Sequence, residues 1–143
     1  MKNKFIIIGK AASGKDFLQK QLVDRGWKPL RQYTTRPKRP TDIGDEYHFV
    51  TEDEFDSISY KLSSIQTFNG WRYGFDMDEM LESDVMIFSP ANFFSMHFSS
   101  DMRSIEFNRY TIVYLDVDEK TGKTISIKRI YLTPNREEIK LLD

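Results

Sequence analysis

The fold is decided by residues 5–16, which read FIIIGKAASGKD. The uninterrupted apolar run at residues 5–8 is typical of a strand buried on both faces of a parallel sheet. Small residues follow, and residues 15–24 then carry leucines one helical turn apart, with Gly26 placed to end a helix. The stretch therefore predicts a buried strand, a glycine-rich loop and a helix, in that order.

The loop between this strand and this helix has the composition of a phosphate-binding site. Glycines let the backbone curl around an anion, so that successive N–H groups and the helix N-terminus point at the phosphates. Lys15 supplies a cation for the β- and γ-phosphates of a nucleotide. The residues predicted to bind the phosphates of ATP are Gly9, Ala11, Ala12, Ser13, Gly14, Lys15 and Asp16.

Asp16 stands where such loops usually carry the serine or threonine that meets Mg²⁺. A carboxylate is a better ligand for a hard cation than a hydroxyl. We therefore predict that Asp16 binds the magnesium ion of the nucleotide, directly or through water. The alternative is that Asp16 only occupies the first turn of the helix, where its charge interacts favourably with the helix dipole.

The rest of the chain alternates strand patterns with helix patterns. Thr51 and Glu54 have the spacing of a capping box, and Asn69-Gly70 is a hairpin signal. The further predicted elements are a strand at 27–33, a loop at 34–45, an extended piece at 47–50, a helix at 51–58, a hairpin at 60–75, a helix at 76–82, a strand at 85–88, a helix at 91–98, a strand at 110–117 and a helix that begins at Thr133-Pro134. This order predicts an α/β fold of three layers, with the hairpin as an excursion from the main sheet.

The densest positive charge of the chain lies in residues 34–40, which read TTRPKRP. Arg36 and Arg39 are three residues apart beside prolines and can present their guanidinium groups to one phosphate. Tyr47 and Tyr73 each carry a hydroxyl that can donate to a phosphate oxygen. A charged loop is most often solvated surface, but this one accompanies a phosphate loop in the same small chain. We therefore predict a second phosphate site.

Two segments resemble the nucleoside-monophosphate site of guanylate kinases. They are residues 34–49, from Thr-Thr-Arg to Tyr-His-Phe, and residues 69–74, Asn-Gly-Trp-Arg-Tyr-Gly. The resemblance runs from residue 1 to about residue 118, and it implies a P-loop nucleotide kinase fold with a central, mostly parallel sheet and a small β-rich excursion for the monophosphate. The residues that it implies for binding the acceptor phosphate are Arg36, Arg39, Tyr47 and Tyr73.

The resemblance also implies an activity and a division of the chain. The enzyme would transfer the γ-phosphoryl group of ATP, bound with Mg²⁺, to a nucleoside monophosphate, GMP or dGMP first of all. Its catalytic residues would be Lys15, Arg36 and Arg39. Residues 1–143 would form one nucleotide-kinase-like domain, with 34–75 as the monophosphate-binding subdomain and about 128–140 as a lid.

The chain departs from the family where the guanine base is read. Guanylate kinases carry a glutamate before the Tyr-Gly element and an aspartate after a later strand, whereas this chain has no acid at residues 63–66 and has Ser89 after the strand. Guanine's N–H groups therefore lack their expected acceptors, and Gln66 and Ser89 are the candidates for contacting the acceptor base. The candidate lid cations are Lys128, Arg129 and Arg136, whose spacing does not match the lid of the family.

Two other functions stay open from the sequence. One is a guanylate-kinase-like module that binds nucleotide or protein with weak catalysis or none, which the missing acids favour. The other is a P-loop nucleotide hydrolase, against which the second phosphate site argues.

Length, composition and net charge limit the sites and partners that the chain can have. A chain of 143 residues fits one domain with a core of its own, and the absence of cysteine excludes disulfides and thiolate metal sites. The net charge of −1 predicts no binding to nucleic acid or to a membrane. We expect a cytoplasmic protein, either a monomer or a homodimer, whose partners are ATP and a nucleoside monophosphate.

Overall fold

The computed structural model describes residues 3–10, 13–42, 47–97, 109–132 and 139–142. In chain order its elements are β1 (Lys4–Gly9), α1 (Lys15–Asp24), β2 (Gln32–Thr34), β3 (Tyr47–Phe49), α2 (Glu52–Ile58), a 3₁₀ turn (Ser59–Lys61), β4 (Leu62–Phe68), β5 (Trp71–Asp76), α3 (Met77–Glu82), β6 (Val85–Phe88), α4 (Pro90–His97), β7 (Tyr110–Val117), β8 (Thr124–Leu132) and β9 (Ile139–Leu142). The prediction of a mixed α/β fold is confirmed.

The chain divides into two compact units. The main unit comprises Met1–Pro29 and Ser83–Asp143, and the inserted unit comprises Leu30–Glu82. The predicted monophosphate-binding segment, residues 34–75, lies within the inserted unit, and its role stays a prediction. Among the described helices, none has the length and apolar character needed to cross a membrane.

The sheet of the main unit is built around β1. Its strand order is β6-β1-β7-β8-β9, with β1 parallel to both β6 and β7, and with β8 antiparallel to β7 and to β9. Ile6, Ile7 and Ile8 are at most 1% exposed, so both faces of β1 are covered as the apolar run predicts. Burying each isoleucine side chain contributes about 1.5–3 kcal/mol to stability.

Helix α1 covers one face of this sheet with its apolar stripe. Leu18 and Leu22 pack against a buried cluster of Ile7, Val85 and Leu115, which come from three adjacent parallel strands. The helix spans residues 15–24 as predicted. Its packing fixes the direction in which the N-terminus of the helix meets the end of β1.

The inserted unit is a four-stranded sheet of order β3-β2-β5-β4. Asn69 and Gly70 join β4 to β5 with φ angles of 52° and 82°, the two positive values that a type I′ hairpin requires. Thr51 caps α2, since its hydroxyl accepts from the Glu54 N–H at 3.1 Å and the Glu54 carboxylate accepts from the Thr51 N–H at 3.3 Å. The hairpin and the capping box are therefore confirmed.

Two parts of the sequence prediction are wrong. The strand predicted at 27–33 shortens to Gln32–Thr34, because Pro29 has no N–H to donate and makes only an isolated bridge, and the boundary between the two units follows it. Strands β8 and β9 were not predicted, although residues 124–132 are rich in isoleucine and other residues favoured in strands. The predicted helix start at Thr133-Pro134 lies outside the described residues.

Candidate functional site

The phosphate loop, residues 9–16, connects β1 directly to α1. Gly14 precedes the helix with φ of 93°, a left-handed conformation that glycine adopts without strain. The first helical hydrogen bond runs from the Leu18 N–H to the Gly14 carbonyl at 3.0 Å. The N–H groups of the first helical turn therefore stay available to an anion, as at other helix N-termini. Ala11 and Ala12, also predicted to bind phosphate, lie outside the described residues.

Gly9 and Ser13 approach each other closely inside this loop. A Cβ atom on Gly9 would lie 2.2 Å from Ser13 Oγ, so that no other residue fits position 9 without displacing the serine. Ser13 is 4% exposed, and its hydroxyl has no hydrogen-bond partner among the described residues. A buried hydroxyl without a partner is costly unless a ligand completes it, and a phosphate oxygen suits that role.

Lys15 and Asp16 open α1 at the edge of the loop. The Lys15 Nζ donates to the Lys10 carbonyl at 3.4 Å, a long contact that a phosphate can replace. Asp16 is exposed and makes no hydrogen bond or ion pair within the described residues. Its carboxylate therefore fits a magnesium ion whose other ligands are phosphate oxygens and water. The described residues hold no cluster of three metal-ligating side chains.

The second basic cluster is organised around a buried arginine. Arg36 is 6% exposed, and its Nη1 and Nη2 donate to Oδ2 and Oδ1 of Asp42 at 3.0 and 3.1 Å. This two-point contact raises the pKa of Arg36 above its ordinary value and lowers the pKa of Asp42. The Arg39 N–H donates to the same carboxylate at 2.6 Å, and the Asp42 N–H donates to the Arg39 carbonyl. Asp42 thereby closes residues 36–42 into a compact loop.

Aromatic rings surround the Arg36 guanidinium on the same face of the inserted sheet. Its Cζ lies 5.3 Å from the ring centre of Tyr47 and 5.4 Å from that of Phe49, within the range of cation–π attraction. Tyr47 and Tyr73 are 6.4 Å apart between ring centres. Thr34 pairs with Phe49 on one side and with Tyr73 on the other, so these side chains share one face. The structure therefore brings together three of the four predicted acceptor residues.

Thr34 and Thr35 hold the backbone that leads into Arg36. The Thr34 hydroxyl donates to the Arg72 carbonyl at 3.0 Å and accepts from the Arg36 N–H at 3.1 Å. The Thr35 hydroxyl accepts from the Arg72 N–H at 2.8 Å, and the Thr35 N–H donates back to the Arg72 carbonyl at 3.1 Å. These bonds attach the loop to β5, the strand that carries Tyr73.

The other predicted residues occupy varied positions. The Arg39 side chain is exposed and makes no ion pair within the described residues. Gln66 is exposed on β4 and lies opposite Tyr73, which places it on the Tyr73 face after a bulge at residues 63–66. Ser89 belongs to the main unit, where its hydroxyl accepts from the Asn92 N–H at 3.2 Å and so caps α4.

The predicted lid cations lie on a strand or outside the described residues. Lys128 is on β8, where its Nζ is 3.6 Å from Asp116, and Arg129 is the next residue of the same strand. Arg136 lies outside the described residues. The lid at about 128–140 therefore stays a prediction, and two of its cations belong to a sheet strand.

The sequence did not indicate the partners of Asp76 and Glu79, two acidic residues around the start of α3. Asp76 is buried, pairs with Lys61 at 3.2 Å and accepts from the Asp78 N–H at the start of α3. Glu79 contacts Nε2 of His48 at 3.0 Å. Both interactions bring together residues far apart in sequence, and only a known strand register would have predicted them.

We expect Asp42→Asn to make the stability of the protein less sensitive to acid. Since the folded pKa of Asp42 is lowered, its charge stabilises the fold fully above the unfolded pKa of about 4 and loses this effect as pH falls through the folded value. Urea unfolding at about pH 7 and about pH 3 should therefore show wild type and variant closer together at the lower pH. An equal difference in unfolding free energy at both values would contradict the pairing.

Comparison with known proteins places this geometry in a family. The structure is similar to the crystal structure of guanylate kinase from Anaplasma phagocytophilum, with a TM-score of 0.52 and 12% sequence identity. The match covers 78% of this chain and 59% of that chain, so this chain spans under two thirds of its solved relative and shares its fold. A search of curated proteins found no match. Residues 1–80 match the family model described as guanylate kinase, which is more than half of the sequence, and the chain therefore belongs to the guanylate kinase family.

Proposed function

We propose that the protein transfers the γ-phosphoryl group of ATP to a nucleoside monophosphate. The observation that carries the proposal is that one chain holds two arrangements that fit a phosphate. One is the phosphate loop in the main unit, and the other, in the inserted unit, is the group of Arg36, Tyr47, Phe49 and Tyr73, here called the Arg36 cluster. A hydrolase needs the first but has no use for the second. The family to which the chain belongs supports a kinase over a hydrolase, and a module that only binds nucleotide or protein has no need of both arrangements.

The donor half of the reaction belongs to the phosphate loop. The loop amides and Lys15 would bind the β- and γ-phosphates of ATP, with the buried Ser13 hydroxyl as a further donor. Bound Mg²⁺ supplies neutralisation of the charge on the β- and γ-oxygens. Asp16 is the residue of this chain that would hold the ion, directly or through water.

The acceptor half belongs to the inserted unit. Arg36 and Arg39 would orient the acceptor phosphate, with the hydroxyls of Tyr47 and Tyr73 donating to its oxygens. An oxygen of that phosphate forms a bond to the γ-phosphorus as the bond to the β–γ bridging oxygen breaks, and ADP leaves with the electron pair. The nucleophile is already an oxyanion, so no general base is required, and alignment and charge neutralisation supply the rate.

The acceptor base is the least constrained part of the proposal. GMP and dGMP are the first expectation from the family, but no carboxylate stands at residues 63–66 or at Ser89 to accept guanine's N–H groups. Gln66 lies on the Tyr73 face and both donates and accepts, so it fits the edge of more than one base. Ser89 fits less well, because its hydroxyl caps α4. We therefore propose weaker base selection than a guanine-binding carboxylate would give.

A coupled assay of ADP formation over all ribo- and deoxyribonucleoside monophosphates tests the function. Turnover that depends on both ATP and a monophosphate supports the kinase. ATP binding without turnover, for any acceptor, would establish the nucleotide-binding module in its place. A protein with this activity would work in the cytoplasm, as a monomer or a homodimer, which fractionation and light scattering would test.

We expect Asp16→Asn to raise the Mg²⁺ concentration needed for half-maximal activity several-fold. The amide keeps the size of the side chain and removes the charge that attracts the cation. Binding of metal-free nucleotide should change much less, and calorimetry in the presence of EDTA measures it. Identical midpoints in Mg²⁺ titrations of wild type and variant would leave Asp16 as a helix-start residue only.

A further inference from the structure

The turn between β7 and β8, residues 118–123, lies against the phosphate loop. The Thr124 hydroxyl, at the first position of β8, donates to the Ser13 carbonyl. Nearer the start of the loop in sequence, the Lys10 Nζ is 3.4 Å from the Glu119 carboxylate. Both contacts join segments that are more than 100 residues apart in sequence and lie within the main unit.

The turn is ordered by its own hydrogen bonds. Asp118 Oδ1 accepts from the N–H groups of Lys120 and Thr121 at 2.8 and 3.1 Å. The Asp118 carbonyl accepts from the Gly122 N–H at 2.8 Å, and the Asp118 N–H donates to the Lys123 carbonyl at 2.9 Å. A turn held in this way can act as a fixed support for the loop beside it.

The Thr124 contact acts on one particular peptide group of the loop. In a trans peptide the carbonyl of one residue and the N–H of the next point in opposite directions. When Thr124 holds the Ser13 carbonyl, it therefore also sets the direction of the Gly14 N–H, which points away from Thr124. Gly14 has φ of 93° and no Cβ, so the residue itself gives this peptide little preference for one orientation.

We propose that Thr124 is a positioning residue for the donor phosphates, which orients the Gly14 N–H through the Ser13 carbonyl. The inference rests on the proposed function, since it assumes that the loop binds ATP. It assigns a share in forming the donor site to the first residue of β8 and to the turn that leads into it. Neither the loop motif nor the match to the family model, which ends at residue 80, includes this turn.

The test compares Thr124→Val with Thr124→Ser. Valine keeps the shape and removes the hydroxyl, and we expect it to weaken ATP binding by about fivefold to tenfold, the effect of one hydrogen bond. Serine keeps the hydroxyl and should restore most of the affinity. The affinity of the chain for the monophosphate should be unchanged in both. Thr111→Val, on β7 of the same sheet, is the matched control, because the Thr111 side chain makes no hydrogen bond within the described residues.

A second measurement separates positioning from loss of stability. The Gly14 amide resonance should shift in Thr124→Val without nucleotide, while the melting temperature stays near that of Thr111→Val. If valine prevents folding, Thr124→Ala, which also lacks the hydroxyl, takes its place. The inference would be overturned if the variant without the hydroxyl bound ATP as tightly as wild type does. It would also be overturned if Thr124→Ser bound ATP as weakly as the variant without the hydroxyl.

ATP binding by Lys15→Ala tests the proposed function separately from the role of Thr124. If Lys15→Ala binds ATP as wild type does, the donor site itself is wrong and the proposed function fails. If Lys15→Ala loses ATP while Thr124→Val keeps it, the donor site stands and only the role of Thr124 is refuted.

Discussion

Replacement of Lys15 by alanine is expected to lower turnover by at least about a hundredfold, which corresponds to ~2.7 kcal/mol of transition-state stabilisation. The Lys15 ammonium contacts only the Lys10 carbonyl within the described residues, at 3.4 Å, so it is free to turn to a phosphate. Negative charge that builds up on the β–γ oxygens is the charge it would neutralise. Initial rates at saturating ATP and acceptor measure the effect.

The loss should be functional rather than structural. Lys15 is half-buried at the start of α1 and belongs to no ion pair within the part of the chain that the structure describes. Its removal should therefore leave the melting temperature within a few degrees of wild type. Lys20→Ala, an exposed position on the same helix, is the matched control and should keep full activity. A folded Lys15→Ala protein with normal turnover would show that the loop does not bind the donor.

Local sequence signals predicted the elements whose structure depends on neighbouring residues. The apolar run of β1, the Asn-Gly turn and the Thr51 capping box each have a physical cause within about ten residues, and each is present. Helix α1 likewise follows from the spacing of its leucines and is confirmed at both ends. The phosphate loop was recognised for the same reason, because strand, glycines and helix are consecutive.

Features that depend on distant pairing were not predicted. Strand β8 forms by pairing with β7, and the sequence of residues 124–132 does not indicate which strand it pairs with. The resemblance to a family with a lid led to Lys128 and Arg129 as candidate lid cations and gave no sign that they belong to a strand, β8. The Thr124 contact with Ser13 spans 111 residues and likewise could not be found from local patterns.

The acceptor site was predicted by residue type but not by its internal partners. Arg36 and Arg39 had equal weight in the prediction from the sequence, whereas only Arg36 of the two is buried and makes a two-point contact with Asp42. Phe49 was not expected to contact the guanidinium, although its alternation with Tyr47 along β3 is the signal that could have indicated it. The structure therefore shows that the two arginines have different environments, one buried and one exposed.

Arg36→Lys is expected to lower the affinity for the monophosphate by at least about a hundredfold. The affinity for ATP should stay near that of wild type. Lysine keeps the charge but cannot make the two parallel bonds to Asp42, nor can it spread its charge over the rings of Tyr47 and Phe49 as a planar group does. Arg39→Lys should cost less, about tenfold, because its exposed side chain makes no ion pair among the described residues. Calorimetric titration with purine and pyrimidine monophosphates measures both losses.

Arg72→Lys is the matched control, because it makes the same substitution at an arginine outside the Arg36 cluster. Arg72 also stacks on an aromatic ring, Phe55, and pairs with two carboxylates, Glu52 and Asp56, but on the side of helix α2. Its lysine variant should lose some stability and keep monophosphate affinity. Nucleosides, which lack the phosphate, should bind weakly and equally to wild type and to every variant. If Arg36→Lys binds monophosphate as Arg72→Lys does, or if wild type binds none in the presence of an ATP analogue, the Arg36 cluster is not an acceptor site and the chain is a nucleotide-binding module.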